Sequence, residues 1–291
     1  MAIINISDPT NPGPPVYEDT TGNAYRVYVS GDYAYIANGW SGLAIIDISD
    51  PTNPGPPVYE STTGEAHGIY VSGDYAYVAD GNDGLAIIDI SDPTNPGIPV
   101  YEDTTGTAFG VYVSGDYVYV ADGSSGLTDI DISDPTNPRM PVYEDTTGTA
   151  FDVYVSGDYA YVADGASGLA VIGISDPRNP GTPVYENTVG DPRGVYVSGD
   201  YAYVASGSSG LAVIDISDPT NPGMPVYEDT TGGARGVYVS GDYAYVVDAE
   251  SLVIIEISEP INTEPPFYED TRGWASNIYV SGDYAYVADT E

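Results

Sequence analysis

Apolar and polar positions alternate in short bursts along this chain, and turn residues close each burst. The stretch from Ala24 to Gly64 predicts four strands. Ala24-Tyr25-Arg26-Val27-Tyr28-Val29 is a β-branched and aromatic run ended by the tight turn Ser30-Gly31-Asp32. Tyr33-Ala34-Tyr35-Ile36-Ala37 alternates large with small side chains and stops at Asn38-Gly39. Leu43-Ala44-Ile45-Ile46-Asp47-Ile48 is almost continuously apolar, as expected of a strand covered on both faces. Ser49-Asp50-Pro51-Thr52-Asn53-Pro54-Gly55 breaks it. Pro57-Val58-Tyr59-Glu60 is short and proline-flanked, which suits an edge strand, because proline donates nothing to a central ladder. The short connections make all four strands antiparallel. No helical periodicity is present.

The unit recurs. Val29-Ser30-Gly31-Asp32-Tyr33 returns almost unchanged at Val71, Val113, Val155, Val197, Val239 and Val280, in steps of 42 residues and a last step of 41. The lost residue falls in Asp248-Ala249-Glu250-Ser251-Leu252, one shorter than Asp164-Gly165-Ala166-Ser167-Gly168-Leu169. A period of about 40–50 residues with several short strands per copy is the signature of a β-propeller. Residues 1–291 therefore read as one all-β domain, a seven-bladed β-propeller with four antiparallel strands per blade. Met1 to Thr21 aligns with the third and fourth strands of a copy, and the chain ends after a second strand, Tyr284-Ala285-Tyr286-Val287-Ala288. Residues 1–21 are thus expected to complete the blade begun by 275–289, so that both termini close the ring.

Composition narrows the partners. There are 44 acidic residues against six Arg and no Lys, for a formal net charge of −38. Nucleic acid and anionic membrane surfaces need a basic footprint, so neither is expected as a partner. Self-repulsion on this scale costs stability that salt restores by screening, which suits either a cation-rich habitat or plain colloidal solubility. No segment approaches the ~20 apolar residues of a membrane helix. Met1-Ala2-Ile3-Ile4-Asn5-Ile6-Ser7 lacks a basic region and matches a repeat strand, so it is read as a strand and not as a signal peptide. A leader was either never present or has been removed. With no Cys, disulfides and thiolate chemistry are excluded.

Repetition also sorts candidate chemistry. Tyr occurs four times per copy, at the equivalents of Tyr28, Tyr33, Tyr35 and Tyr59, and the extra Tyr25 makes 29. The repeated tyrosines are expected to pack between blades with their hydroxyls on backbone partners. The copies differ most where the first strand enters: Tyr25, His67, Phe109, Phe151, Arg193, Arg235 and Ser276. In the usual propeller order the first strand lines the channel, so these seven are expected to ring one mouth. Arg26, Asp152 and Asn277 follow them, and Trp40, Arg272 and Trp274 lie in loops of the same face. Arg and Trp beside aromatics and one His are the residue types that binding surfaces favour; drift at positions of slack geometry is the alternative.

Other features have structural readings. The Asp47, Asp50 and Asn53 turns and their equivalents, such as Asp89, Asp92 and Asn95, offer hard oxygens to Ca²⁺. Asp and Asn before Pro are also turn formers whose side chains bond nearby N–H groups, and that reading is preferred. Loops such as Asp80-Gly81-Asn82-Asp83 are read the same way. Asp129 places a carboxylate in an apolar strand, where it must be paired, protonated or on the solvent side. Asn5-Ile6-Ser7 matches a glycosylation acceptor but falls in a strand. His67 is the only His, and neither a nucleophile elbow nor a phosphate or dinucleotide loop is present.

The segments Leu43-Ala44-Ile45-Ile46-Asp47-Ile48-Ser49-Asp50-Pro51 and Gly31-Asp32-Tyr33-Ala34-Tyr35-Ile36-Ala37 resemble the LVIVD-repeat family. Its namesake stretch reads here as Leu85-Ala86-Ile87-Ile88-Asp89 and Leu211-Ala212-Val213-Ile214-Asp215, with departures at Asp129, Gly173 and Glu256. The resemblance spans the chain and implies bacterial and archaeal propellers, often predicted to be secreted or surface-attached and mostly without an assigned activity. The expected function is a non-catalytic, extracellular or cell-surface propeller that binds a protein or glycan surface or serves a structural role. A second reading is a subunit stacking face to face with further copies of itself into a filament or sheath. A third is a hydrolase or lyase at the channel mouth. No cofactor is expected beyond the Ca²⁺ candidate.

Overall fold

Each hairpin begins at a turn that only glycine adopts without strain. Gly31 sits at φ +56°, as do its equivalents within a few degrees, in the left-handed region where a Cβ is penalised. In the computed structural model, which describes residues 1–249, 251–260 and 265–290, these turns join seven four-stranded antiparallel sheets. Blade 1 consists of Arg26–Ser30, Tyr33–Ala37, Leu43–Asp47 and Val58–Glu60. Tyr28 is registered opposite Tyr35, and Tyr35 opposite Ile45. The following blades repeat this pattern.

Blade 7 is assembled from both termini. Trp274–Ser281 and Tyr284–Thr290 supply its inner strands, and Ala2–Asn5 and Val16–Tyr17 supply its outer ones. Ala2 is opposite Val287 and Asn5 opposite Tyr284. In blade 6 the missing residue tightens a loop to a hairpin, with Asp248 paired to Ser251 and Ala249 forced to φ +51°; Glu250 itself lies outside the described residues. A single turn of 3₁₀ helix, Gly165–Ser167, closes the corresponding loop of blade 4, where the sequence pattern shows no helix.

The core lies between blades. Ile36 and Ile46 of blade 1 pack with Ile3 and Tyr286 of blade 7, while Tyr35 and Ile45 pack with Val78 and Ile88 of blade 2. Third strands are therefore buried on both faces, which explains their unbroken apolar runs. Four of the seven outer-strand tyrosines reach backbone as expected. The hydroxyls of Tyr59, Tyr101, Tyr185 and Tyr227 accept the N–H groups of Thr21, Thr63, Thr147 and Val189 at 2.7–3.2 Å, each in the loop leading into the same blade.

The carboxylates divide into two kinds. Asp80 is buried: its Oδ1 accepts the Thr62 hydroxyl at 2.5 Å and its Oδ2 accepts the Gly64 N–H at 2.8 Å, latching the incoming loop to the end of the second strand. Asp122 and Asp164 repeat the latch with Thr104 and Gly106, and with Thr146 and Gly148. Burial raises all three of these carboxyl pKa values. The Asp-Pro turns are exposed and locally satisfied. Asp47 Oδ1 accepts the Ser49 N–H at 2.9 Å, and Asp50 Oδ1 accepts the Thr52 N–H at 3.0 Å. On that face Arg139 and Arg178 both pair with Asp131, at 3.4 and 3.1 Å.

With most of its carboxylates solvent-facing and mutually repelling, the protein should gain thermal stability from low to molar salt, where the screening length shrinks to about 3 Å. Melting curves across NaCl concentrations check this. Millimolar Ca²⁺ should add nothing beyond its ionic strength; a saturable calorimetric titration with defined stoichiometry would overturn the turn reading.

Candidate binding site at the channel mouth

One backbone device places the seven variable residues. Just before the first strand, the N–H of Tyr25 donates to the Ala37 carbonyl at 2.9 Å, and His67, Phe109, Phe151 and Arg193 bond Ala79, Ala121, Ala163 and Ala205 in the same way. In blades 6 and 7 the register shifts at this point, between Ala234 and Gly236 and between Ala275 and Asn277, so Arg235 and Ser276 stand at bulges. Bulges re-aim a side chain while preserving the ladder beyond them. The result is a cup of about 230 Å³ lined by all seven of these residues and Arg26.

The cup has two unlike arcs. On one, rings stack in series: Tyr25 on His67 at 5.0 Å, His67 on Phe109 at 5.2 Å, and Phe109 on Phe151 at 5.3 Å between centroids. On the other stand the guanidiniums. Arg193 lies 4.6 Å over the Phe151 ring and bonds Asp191 at 2.9 Å. Arg235 lies 4.6 Å over the Trp274 ring. Burial, and then the neighbouring Arg193, lower the Arg235 pKa, although guanidinium stays charged at any working pH. Burial likewise lowers the His67 pKa, outweighing the opposite pull of Glu65 and Asp80, so the imidazole is neutral at pH 7. Glu65 accepts the Tyr25 hydroxyl at 2.9 Å and lies 3.8 Å from His67.

Beneath the cup the channel is crossed by an ion pair. Arg26 of blade 1 donates through Nη1 to Asp152 Oδ1 of blade 4, and Asp152 Oδ2 accepts the Val195 N–H at 3.1 Å. The equivalent positions in four other blades are Gly68, Gly110, Gly194 and Gly236. A Cβ on Gly68 would come within 2.6 Å of the Phe109 carbonyl, so the first strands approach too closely there for a side chain. Below this layer, a second cavity of about 140 Å³ is bounded by Tyr28 and its six equivalents. Their rings touch in a closed circuit, Tyr28 to Tyr70 and onward through Tyr279 back to Tyr28, at 4.7–4.9 Å. Those seven tyrosines line the channel, whereas the sequence places them between blades.

The remaining variable-face residues stand apart from the cup. Trp40 is 73% exposed on its loop, and Arg272 lies 4.0 Å over the Tyr17 ring at the outer strand of blade 7. Trp274 reaches the cup only as the platform under Arg235. Three partners escape the sequence reading: Glu65, Asp191 and the cross-channel pairing of Arg26 with Asp152. The signal for the first two is their shared repeat position, two residues before the mouth residue, which Trp274 also occupies. Opposite charges at one repeat position are the signal for the third.

A family model described as LVIVD repeat matches residues 21–56, 63–101, 105–145, 147–183, 189–230, 231–264 and 272–291. No curated protein matches the sequence. Among solved structures, the chain is similar to the Cps50 (Swd1) β-propeller domain of Myceliophteria thermophila, at 12% identity and a TM-score of 0.71, covering 94% of this chain and 98% of that one. It is also similar to a functionally unknown protein from Desulfotomaculum acetoxidans DSM 771, at 14% identity and a TM-score of 0.72, with 100% and 99% coverage. The computationally designed Ika8 protein is 8% identical, with a TM-score of 0.67 and coverage of 93% and 94%. At these identities the likeness is one of fold.

Proposed function

The chain belongs to the LVIVD repeat family, and from that premise we propose that it is a non-catalytic binding propeller whose variable face, centred on the channel mouth, contacts its partner. One observation carries this reading. In a ring of near-identical blades, the seven residues that differ most converge on a single cup, and with Arg26 beside them the cup holds three of the six Arg. The cup offers aromatic rings and guanidiniums, groups suited to recognition. Its one imidazole is wedged between two aromatic rings, and a Ser or Cys nucleophile activated by it is absent from its contacts among the described residues. Among the described residues the opposite face varies less: acidic turns such as those at Asp47 and Asp50 satisfy themselves, and Arg139 and Arg178 share Asp131.

The test uses substitutions that other blades already tolerate. Arg193→Ser and Arg235→Ser copy Ser276, and Trp274→Thr copies Thr107 and Thr149. The triple variant should melt within about 1–2 °C of the parent, since surface changes outside packed features stay near ±0.5 kcal/mol. It should lose binding to immobilised glycan or protein partners, or self-association in sedimentation velocity at low and high salt. Association of undiminished strength would move the contact to the Asp-Pro face or the outer strands.

A further inference from the structure

The cup's wall charge is unbalanced on one side. Arg26 is neutralised by Asp152 and Arg193 by Asp191. Arg235, in a chain with 44 carboxylates, has no carboxylate or hydrogen-bond acceptor on its guanidinium among the described residues; only the Trp274 ring holds it. A partly desolvated cation left without an anion is a costly arrangement that an incoming anion relieves. Across the cup the series Tyr25, His67, Phe109 and Phe151 offers ring edges and faces at stacking distance. The carboxylate closest to the far end of that arc, Glu65, lies beside Tyr25 and His67, and Asp191 at the near end is taken by Arg193, so negative charge is favoured at Arg235.

Resting on the binding reading above, we propose that the mouth holds an anionic group carried on one planar ring, an aromatic carboxylate or phosphate. The ring stacks against the Phe109–Phe151 arc, and the anion sits on Arg235 with Arg193 beside it. Size agrees: a cavity of about 150 Å³ holds a benzene ring, and the cup's 230 Å³ leaves room for a charged substituent. The overall negative field does not forbid it. At physiological salt, charges beyond about 8 Å are largely screened, so the nearest guanidiniums decide.

The experiment titrates the full chain, by calorimetry and ligand-observed NMR, with phenyl phosphate and benzoate. Acetate and inorganic phosphate serve as anions without a ring, benzyl alcohol as a ring without charge, and benzylamine as a ring with the opposite charge. Phenyl phosphate and benzoate should bind saturably at one site, and the other four more weakly by about tenfold or more. Arg235→Ser should weaken phenyl phosphate by about tenfold or more, the factor for one charge-assisted hydrogen bond. Phe109→Ser should weaken both ring-bearing anions while leaving the melting curve in place. A phosphotyrosine flanked by glycines separates the sources: tighter binding than phenyl phosphate assigns the group to a polypeptide partner, and equal or weaker binding to a free compound. Benzylamine or benzyl alcohol binding as tightly as benzoate would overturn the anion assignment while leaving the mouth a binding site. So would binding that ignores Arg235→Ser. If no compound binds, the ligand class falls, and the binding reading is judged separately by the triple variant.

Discussion

A chain lacking residues 1–21 should aggregate or melt far below the intact protein. The deletion removes the two outer strands of blade 7, and with them Met1, Ile3, Ile4 and Ile6, all 5% exposed or less. Full burial of four such side chains contributes roughly 6–12 kcal/mol, as much as the whole stability of an ordinary domain, about 5–15 kcal/mol. The deletion also bares the edge of Tyr284–Thr290, a ready template for pairing between chains. Ile4→Ala tests the same seam more gently and should cost about 2–5 kcal/mol. Size-exclusion chromatography and thermal melts read both. A truncated monomer with the parent's melting curve would show that closure is dispensable.

Asp129→Ile should stabilise the protein at pH 7 by on the order of 4 kcal/mol. Asp129 stands in the third strand of blade 3, registered between Tyr119 and Val142. Its equivalents Ile45 and Ile87 belong to the apolar clusters shared with the following blade. The carboxyl is 2% exposed, and neither oxygen has a hydrogen-bond partner among the described residues. Of the three states open to it in the sequence, protonation is the one the structure leaves. Burial, and secondarily the Glu144 charge, push its pKa up to about 8. Because the folded value lies above the unfolded one, near 4, the folded state holds the proton more tightly. This contribution is fully present below about pH 4, declines as pH rises, and is lost by about pH 8, at about 1.4 kcal/mol per unit. Other buried carboxylates move the same way, so the measurement is the difference in urea unfolding between parent and variant from pH 4 to 9. That difference should widen to about pH 8 and then level off. Asp129→Asn should flatten the pH dependence without the full gain, because an unsatisfied polar group remains. A constant difference across the range would mean that the carboxyl finds a partner or water.

Architecture was legible because each repeat states the rule again. The third-strand runs, the proline-flanked outer strands and the alignment of Met1–Thr21 with Leu43–Thr63 all rest on local pattern, and local pattern decides strand pairing here. The mouth was legible for a related reason: with six copies for comparison, Tyr25, His67 and Arg235 stand out as places where identity was free. What stayed hidden depends on the geometry of the ring. That Arg26 meets Asp152 three blades away follows from the channel's width. Trp40 is exposed on its loop and Arg272 lies over the Tyr17 ring, so neither lines the cup. Asp80 read as one more turn residue, because its partners Thr62 and Gly64 come from an earlier loop that only folding brings to it.

Near-identical tandem copies invite unequal recombination, which adds or removes one unit at a stroke. The tyrosine circuit sets what such an event would do to the ring. Side chains that point toward an axis crowd together as the number of spokes falls and separate as it rises. At 4.7–4.9 Å, the present rings already sit near the short end of the 4.5–7 Å range for aromatic contact. Six spokes would press Tyr28 and its counterparts below that range, and eight would loosen the circuit. The circuit therefore acts as a gauge for the number seven, set by residues that the repeats themselves carry.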